Sequence, residues 1–199
     1  MGAVEAIRLL EDAGLLTPEE AAGPGDLTER DVWDQLARDE WEQVLGVLEE
    51  CRGGPPLPPA FWASLAEAVG QLRMERGTAW CHWRHTEARR GGIRAVLTLF
   101  PPEEADGGRR LPVPGAGVLR PMWDIGSRAP DGGPAWNIAS LWAEHTAAIP
   151  PGGRATVRLA PLTPGQWRHL TPGDVITMHE RRPPAGTATV LEVLPPVLP

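Results

Sequence analysis

Cys81-His82-Trp83-Arg84-His85 places a thiol and two imidazoles within little more than one helical turn, side chains able to ligate a transition metal. No second pair at ligand spacing completes a tetrahedral set, and Cys51 and Cys81 have no CxxC neighbour, so neither a zinc ribbon nor a disulfide framework is expected. The segment reads instead as a helix that buries Trp80 and Trp83 and leaves His82 and His85 partly solvated, with no metal or other cofactor. Glu144-His145 and His179-Glu180 each pair a general acid with a base. Adjacent residues on a strand point to opposite faces, so neither pair shares one proton path. Ser64, Ser127 and Ser140 lack a GxSxG setting, and no GxxxxGK[ST] loop is present to cradle a nucleotide phosphate. The expectation is a protein that is not an enzyme.

One constellation suits binding rather than catalysis. Arg73, Arg76, Arg84, Arg89, Arg90 and Arg94 interleave with Trp80 and Trp83, where guanidinium forks could meet phosphates and indoles could stack on bases. The same arginines could instead pair with carboxylates elsewhere in the chain. Charge distribution favours the pairing: residues 1–50 hold fourteen acids and three arginines, net −11, against +3 for residues 51–91 and +1 for residues 92–199. A net charge of −7 makes nucleic acid the lesser candidate partner, because phosphate neutralisation supplies most non-specific affinity. All the basic residues are arginine, a bias we attribute to GC-rich coding rather than to mechanism.

The elements that must position these residues fall into two kinds. Val4, Ile7 and Leu10 mark a short helix over residues 3–13, closed by Gly14 in a left-handed cap. Thr17-Pro18-Glu19-Glu20 is a capping box stopped by Gly23-Pro24-Gly25. From Thr28 to about Glu50, Trp33, Leu36, Trp41, Val44, Leu45 and Leu48 share a stripe, and Asp31, Asp34, Glu42 and Glu49 form an acidic face suited to a basic partner protein. Further helices are expected over residues 60–76, capped by Gly77, and 78–90. After Gly91 the period changes to two. Ile93, Ala95, Leu97 and Leu99 alternate with Arg94, Val96 and Thr98, and strand-like runs recur near residues 118–124, 140–144, 155–159, 175–179 and 187–193, separated by Pro/Gly turns. Pro172 to Val193 reads as a hairpin. The expected architecture is α+β: an acidic helical bundle over residues 1–91, then a six-stranded antiparallel β-barrel over residues 92–199.

The β portion resembles the C-terminal, third domain of the bacterial elongation factor Tu family. The resemblance is carried, in order, by Glu103-Glu104-Ala105-Asp106-Gly107-Gly108-Arg109, by Leu119-Arg120-Pro121-Met122-Trp123, by Pro172-Gly173-Asp174, and by His179-Glu180-Arg181-Arg182 before Gly186-Thr187-Ala188. It covers residues 92–196, without the family's GTPase domain, and it departs from the family at Arg181-Arg182, Pro183 and Leu119. It implies a barrel fold and a partner surface that includes Arg109, Arg120, His179, Glu180, Arg181 and Arg182. Two functions follow as expectations. The first is a non-catalytic protein-binding module of an immunity, antitoxin-like or regulatory kind, its acidic helix facing a basic protein. The alternative is a translation-associated accessory protein that binds tRNA or tRNA-like RNA through Arg73, Arg76, Trp80, Trp83, Arg84, Arg89 and Arg90. The opening MGAVEAIRLLEDAG is no secretion signal and no apolar run reaches the ~20 residues of a membrane span, so a cytoplasmic location and no membrane partner are expected.

Overall fold

The computed structural model describes residues 2–16, 38, 40–42, 44–46, 56–102, 110–180 and 183–197. The chain divides into two compact units, Met1–Arg89 with Val197–Pro199, and Arg90–Pro196. No helix among the described residues is long and apolar enough to cross a membrane.

In the first unit, α1 (Gly2–Asp12) buries Ala6, Ile7 and Leu10 at the spacing of one helical face and packs against α2 (Pro59–Gln71). Gly14 at φ +66° closes α1: its N–H donates to the Glu11 carbonyl and the Leu15 N–H to the Leu10 carbonyl, satisfying carbonyls the helix leaves open. Proline opens α2, where a missing N–H costs nothing, and Phe61, Trp62, Leu65, Ala66 and Val69 face inward. The helix expected over residues 60–76 ends earlier than its Gly77 suggested. The Leu72 and Arg73 N–H groups close the last turn on the Val69 and Gly70 carbonyls, Arg73 takes the left-handed conformation (φ +59°), and α3 starts at Glu75 and runs to Arg90. Gly77 is therefore buried inside α3 rather than capping α2. Of the helix expected from Thr28 to Glu50, residues 41–42 and 44–46 are described and helical, with Trp41, Val44 and Leu45 buried as the stripe required. The segment 17–37, with its capping box, lies outside the described residues.

The second unit is a closed antiparallel barrel of six strands, ordered β1 (Gly92–Leu99), β6 (Arg154–Pro161), β4 (Pro134–Ala143), β3 (Met122–Arg128), β7 (Val175–His179) and β8 (Pro184–Leu194), with β8 returning to β1. Two short strands, β2 (Val113–Pro114) and β5 (Ala148–Ile149), pair with each other outside it. Closure pairs every main strand on both sides and removes the edges an open sheet would expose. The alternation seen in the sequence sets the core. Ile93, Ala95, Leu97 and Leu99 point inward with Trp123, Ala139, Leu141, Val157, Leu159, Ile176, Met178, Ala188 and Val190, and Trp167 and Leu170, in and just after a 3-10 turn at Pro164–Trp167, join them. A bulge in β8 keeps this pattern: Arg94 pairs with Glu192 but Ala95 with Val190, and the extra residue, Leu191, lets both Val190 and Val193 face the core.

Close approach of backbone fixes Gly91 and Gly186 at either end of β1. Gly91, at φ +80°, turns the chain from α3 into β1 where a Cβ would sit 2.7 Å from the Leu194 carbonyl oxygen. At Gly186 a Cβ would lie 2.6 Å from the Thr98 carbonyl oxygen and 3.1 Å from the Leu99 Cα. Because those atoms are backbone, Gly186→Ala must push β8 away from β1. We expect it to lower the denaturation midpoint by an amount equivalent to about 2 kcal/mol, whereas Gly165→Ala, which meets nothing within 4 Å, should be close to neutral.

Candidate functional site

The outer wall of the barrel carries an apolar row that no other described part of the chain covers. On β4, Asn137, Ala139 and Leu141 face the core, so Trp136 and Ile138 face outward, 43% and 40% exposed. Their neighbours follow from the register. Ile138 pairs with Met122 of β3, Met122 with His179 of β7, Trp136 with Asp124, and Asp124 with Thr177. The Leu162 N–H donates to the Ile138 carbonyl, which sets Leu162, 42% exposed, beside it. The His179 ring packs edge-on to Trp136 at 4.5 Å between centroids and 68° between planes, fixing the indole on the sheet. Polar groups border the row. The Asp124 carboxylate accepts the Gly126 N–H at 2.9 Å and lies 3.7 Å from Arg128, and Arg120 stands exposed two residues before Met122.

A second polar cluster sits on another part of the wall. Arg94 on β1 and Arg158 on β6 are direct cross-strand partners, and both reach Glu144 at the end of β4. Arg94 Nε donates to Glu144 Oε1 and Oε2 at 3.0 and 3.1 Å and its Nη2 to Oε2 at 2.9 Å, while Arg158 Nε donates to Oε1 at 2.7 Å. The carboxylate is only 4% exposed. Burial alone would raise its pKa. The hydrogen bonds and charges of Arg94 and Arg158 outweigh burial and hold the carboxyl below the usual glutamate range. Glu144 and His145 therefore form no acid–base couple: Glu144 is locked between two guanidiniums, and His145 begins a turn in the left-handed conformation at φ +57°.

The sequence-derived residues scatter among several environments. Arg109, Arg181, Arg182, Asp31, Asp34 and Glu49 lie outside the described residues; Arg120 is exposed, Glu180 half-buried and His179 buried against Trp136. Glu42, read as part of an exposed acidic face, is 5% exposed and ion-paired at 2.6 Å with Arg76, which is itself 30% exposed. Trp80 is buried with no ring face open to a base, and Trp83 is half-buried. The Arg84 guanidinium stacks 4.4 Å from the Trp62 centroid and 5.4 Å from that of Trp80, and its Nε is 2.9 Å from a Glu87 oxygen. Arg73, Arg89 and Arg90 are exposed. Cys81 is fully buried; burial, opposed weakly by the Arg84 charge, pushes its thiol up to about 12, which leaves it un-ionised near neutrality. Among the described residues no three His, Cys, Asp or Glu side chains come together as a metal site.

Trp136 and Ile138 were not anticipated, because Asp131-Gly132-Gly133-Pro134 reads as a turn and the next strand was expected only near Ser140. Proline instead opens β4, a position strands tolerate. The signal was present in the alternation of Trp136, Ile138 and Ser140 with Asn137, Ala139 and Leu141. No protein-family model matches the chain, and no curated protein matches it significantly.

Proposed function

We propose that this chain is a non-catalytic protein-binding module whose barrel, of the elongation factor Tu third-domain type, presents the Trp136–Ile138–Leu162 row as its recognition surface. One observation carries the proposal: an aromatic and two aliphatic side chains stand exposed side by side on a closed sheet. Isolated exposed apolar residues are ordinary, whereas a contiguous row with a polar border has the form of an interface centre. The indole is already held by His179, so docking would order little that is not ordered beforehand. The surplus of acids in residues 1–50 fits a partner with a basic surface, the electrostatic arrangement of an immunity or antitoxin protein set against a basic nuclease, acting in the cytoplasm.

The RNA-binding alternative has less support. Of its residues, Trp80, Arg84 and Arg76 are engaged within the helical unit, leaving Arg73, Arg89 and Arg90 as the exposed arginines that could meet phosphate. A photo-crosslinking amino acid placed at position 136 should form a discrete protein adduct in cells, and one placed at position 89 should form none. An RNA adduct at position 89 with nothing at position 136 would reverse the assignment.

A further inference from the structure

A pocket of about 250 Å³ opens on the barrel wall within the loop that joins β4 to β6, lined by Glu144, His145, Thr146, Arg154 and Thr156 together with Ala148, Ile149, Pro150 and Ala155. We propose that it is a binding site for a small oxyanion, a carboxylate or a phosphate group, held principally by Arg154 and Thr156. This site is independent of the Trp136 surface.

The donors are arranged for it. Arg154 and Thr156 lie two apart on β6, hence on the same outward face, and neither side chain makes a hydrogen bond or ion pair within the described residues. Across the pocket the chain is held rigidly. The Glu144 N–H donates to the Thr156 carbonyl, the Thr146 hydroxyl donates to the Ala148 carbonyl at 2.8 Å, and the Gly115 N–H donates to the Ala147 carbonyl. The Gly115 contact admits no side chain, because a Cβ there would fall 2.4 Å from the Thr146 carbonyl oxygen. His145, a non-glycine residue in the left-handed region, is turned at this same loop, a form of backbone strain that concentrates at binding and active sites.

The sign of the local charge selects an anion. The Glu144 carboxylate at the pocket edge is already engaged by Arg94 and Arg158, so those three groups sum to one positive charge, and Arg154 adds a second. The volume selects the size. It falls below the roughly 300 Å³ at which pockets for drug-sized ligands begin, the scale of a single anionic group.

The test uses the full chain, 15N-labelled, titrated with inorganic phosphate and separately with acetate, sodium chloride holding ionic strength constant. Saturable amide shifts confined to residues 144–146 and 154–156 are expected for at least one anion, and the two titrations decide between the phosphate and carboxylate forms of the ligand. Arg154→Gln should weaken that binding at least tenfold and Thr156→Val several-fold, while the remaining spectrum stays unchanged and shows the barrel intact. Shifts that never saturate with either anion would overturn the proposal, as would saturable shifts that Arg154→Gln leaves in place.

Discussion

Glu144→Ala should lower the stability of the barrel by about 3–5 kcal/mol, the cost of leaving buried charge without its partner. Arg94 and Arg158 face each other directly across β1 and β6, an arrangement of like charges that destabilises a sheet unless a counter-ion bridges it. Glu144 is that counter-ion, taking a two-pronged contact from Arg94 and a single strong one from Arg158. Truncation leaves two guanidiniums, 31% and 15% exposed, repelling each other without compensation. Glu144→Gln keeps shape and acceptors but not charge, so its loss should be smaller. Replacing all three residues by apolar ones of similar size should recover much of the stability, because the cost lies in the unpaired charge rather than in the absence of the cluster.

The same site fixes a pH dependence. The folded carboxyl titrates below its unfolded counterpart, so the contribution of Glu144 is present in full above the unfolded value of about 4.3 and disappears as pH falls through the lower folded one. Denaturation midpoints of the natural chain and of Glu144→Gln, followed by tryptophan fluorescence, should differ at pH 7 and converge in acid. A gap that persists or widens in acid would contradict the arrangement.

Arg84→Ala should destabilise the helical unit by a similar amount, about 3–4 kcal/mol. Two contributions coincide. The guanidinium lies over Trp62 and near Trp80, and its ion pair with Glu87 is almost fully out of water at 11% and 6% exposure. Removing it leaves the Glu87 carboxylate buried. Arg84→Lys should not rescue, because an ammonium cannot lie flat on an indole and reach the carboxylate together. The measurement also separates two roles for this arginine. A stacking anchor shows its loss as a lowered denaturation midpoint, whereas a phosphate contact would show it as a smaller salt dependence of RNA binding at unchanged stability.

How far the sequence disclosed all this depends on the range of the interactions. The barrel strands were legible where the pattern is local: Ile93 to Leu99 alternates cleanly, and the strands at Val175–His179 and Pro184–Leu194 pair as the hairpin expected from Pro172 to Val193. Helix ends were less legible, because Gly77 looks like a stop until the α2 carbonyls are seen to be closed by the Leu72 and Arg73 N–H groups. Candidate sites were least legible. Arg94 could not be matched to Glu144, fifty residues away, and nothing local to Glu144 shows that two arginines share its carboxylate. In the Arg/Trp segment, spacing shows that Trp80 and Arg84 share a helix face but not that Trp62 and Glu87 close over it. Trp136 was missed because the turn at Asp131–Gly133, which the structure keeps, hands over to a strand directly at Pro134.

The central claim is that the barrel wall binds a protein, and it is tested most directly by affinity purification from the native organism after nuclease treatment. The natural chain would be compared with a Trp136→Ala, Ile138→Asp variant; both positions are exposed, so the fold should be little disturbed. The account predicts that the natural chain retains a partner protein in near-equal amount, that nuclease does not release it, and that the variant loses it. Recovery of RNA in place of a protein, abolished by Arg89→Glu with Arg90→Glu and indifferent to the wall variant, would contradict it.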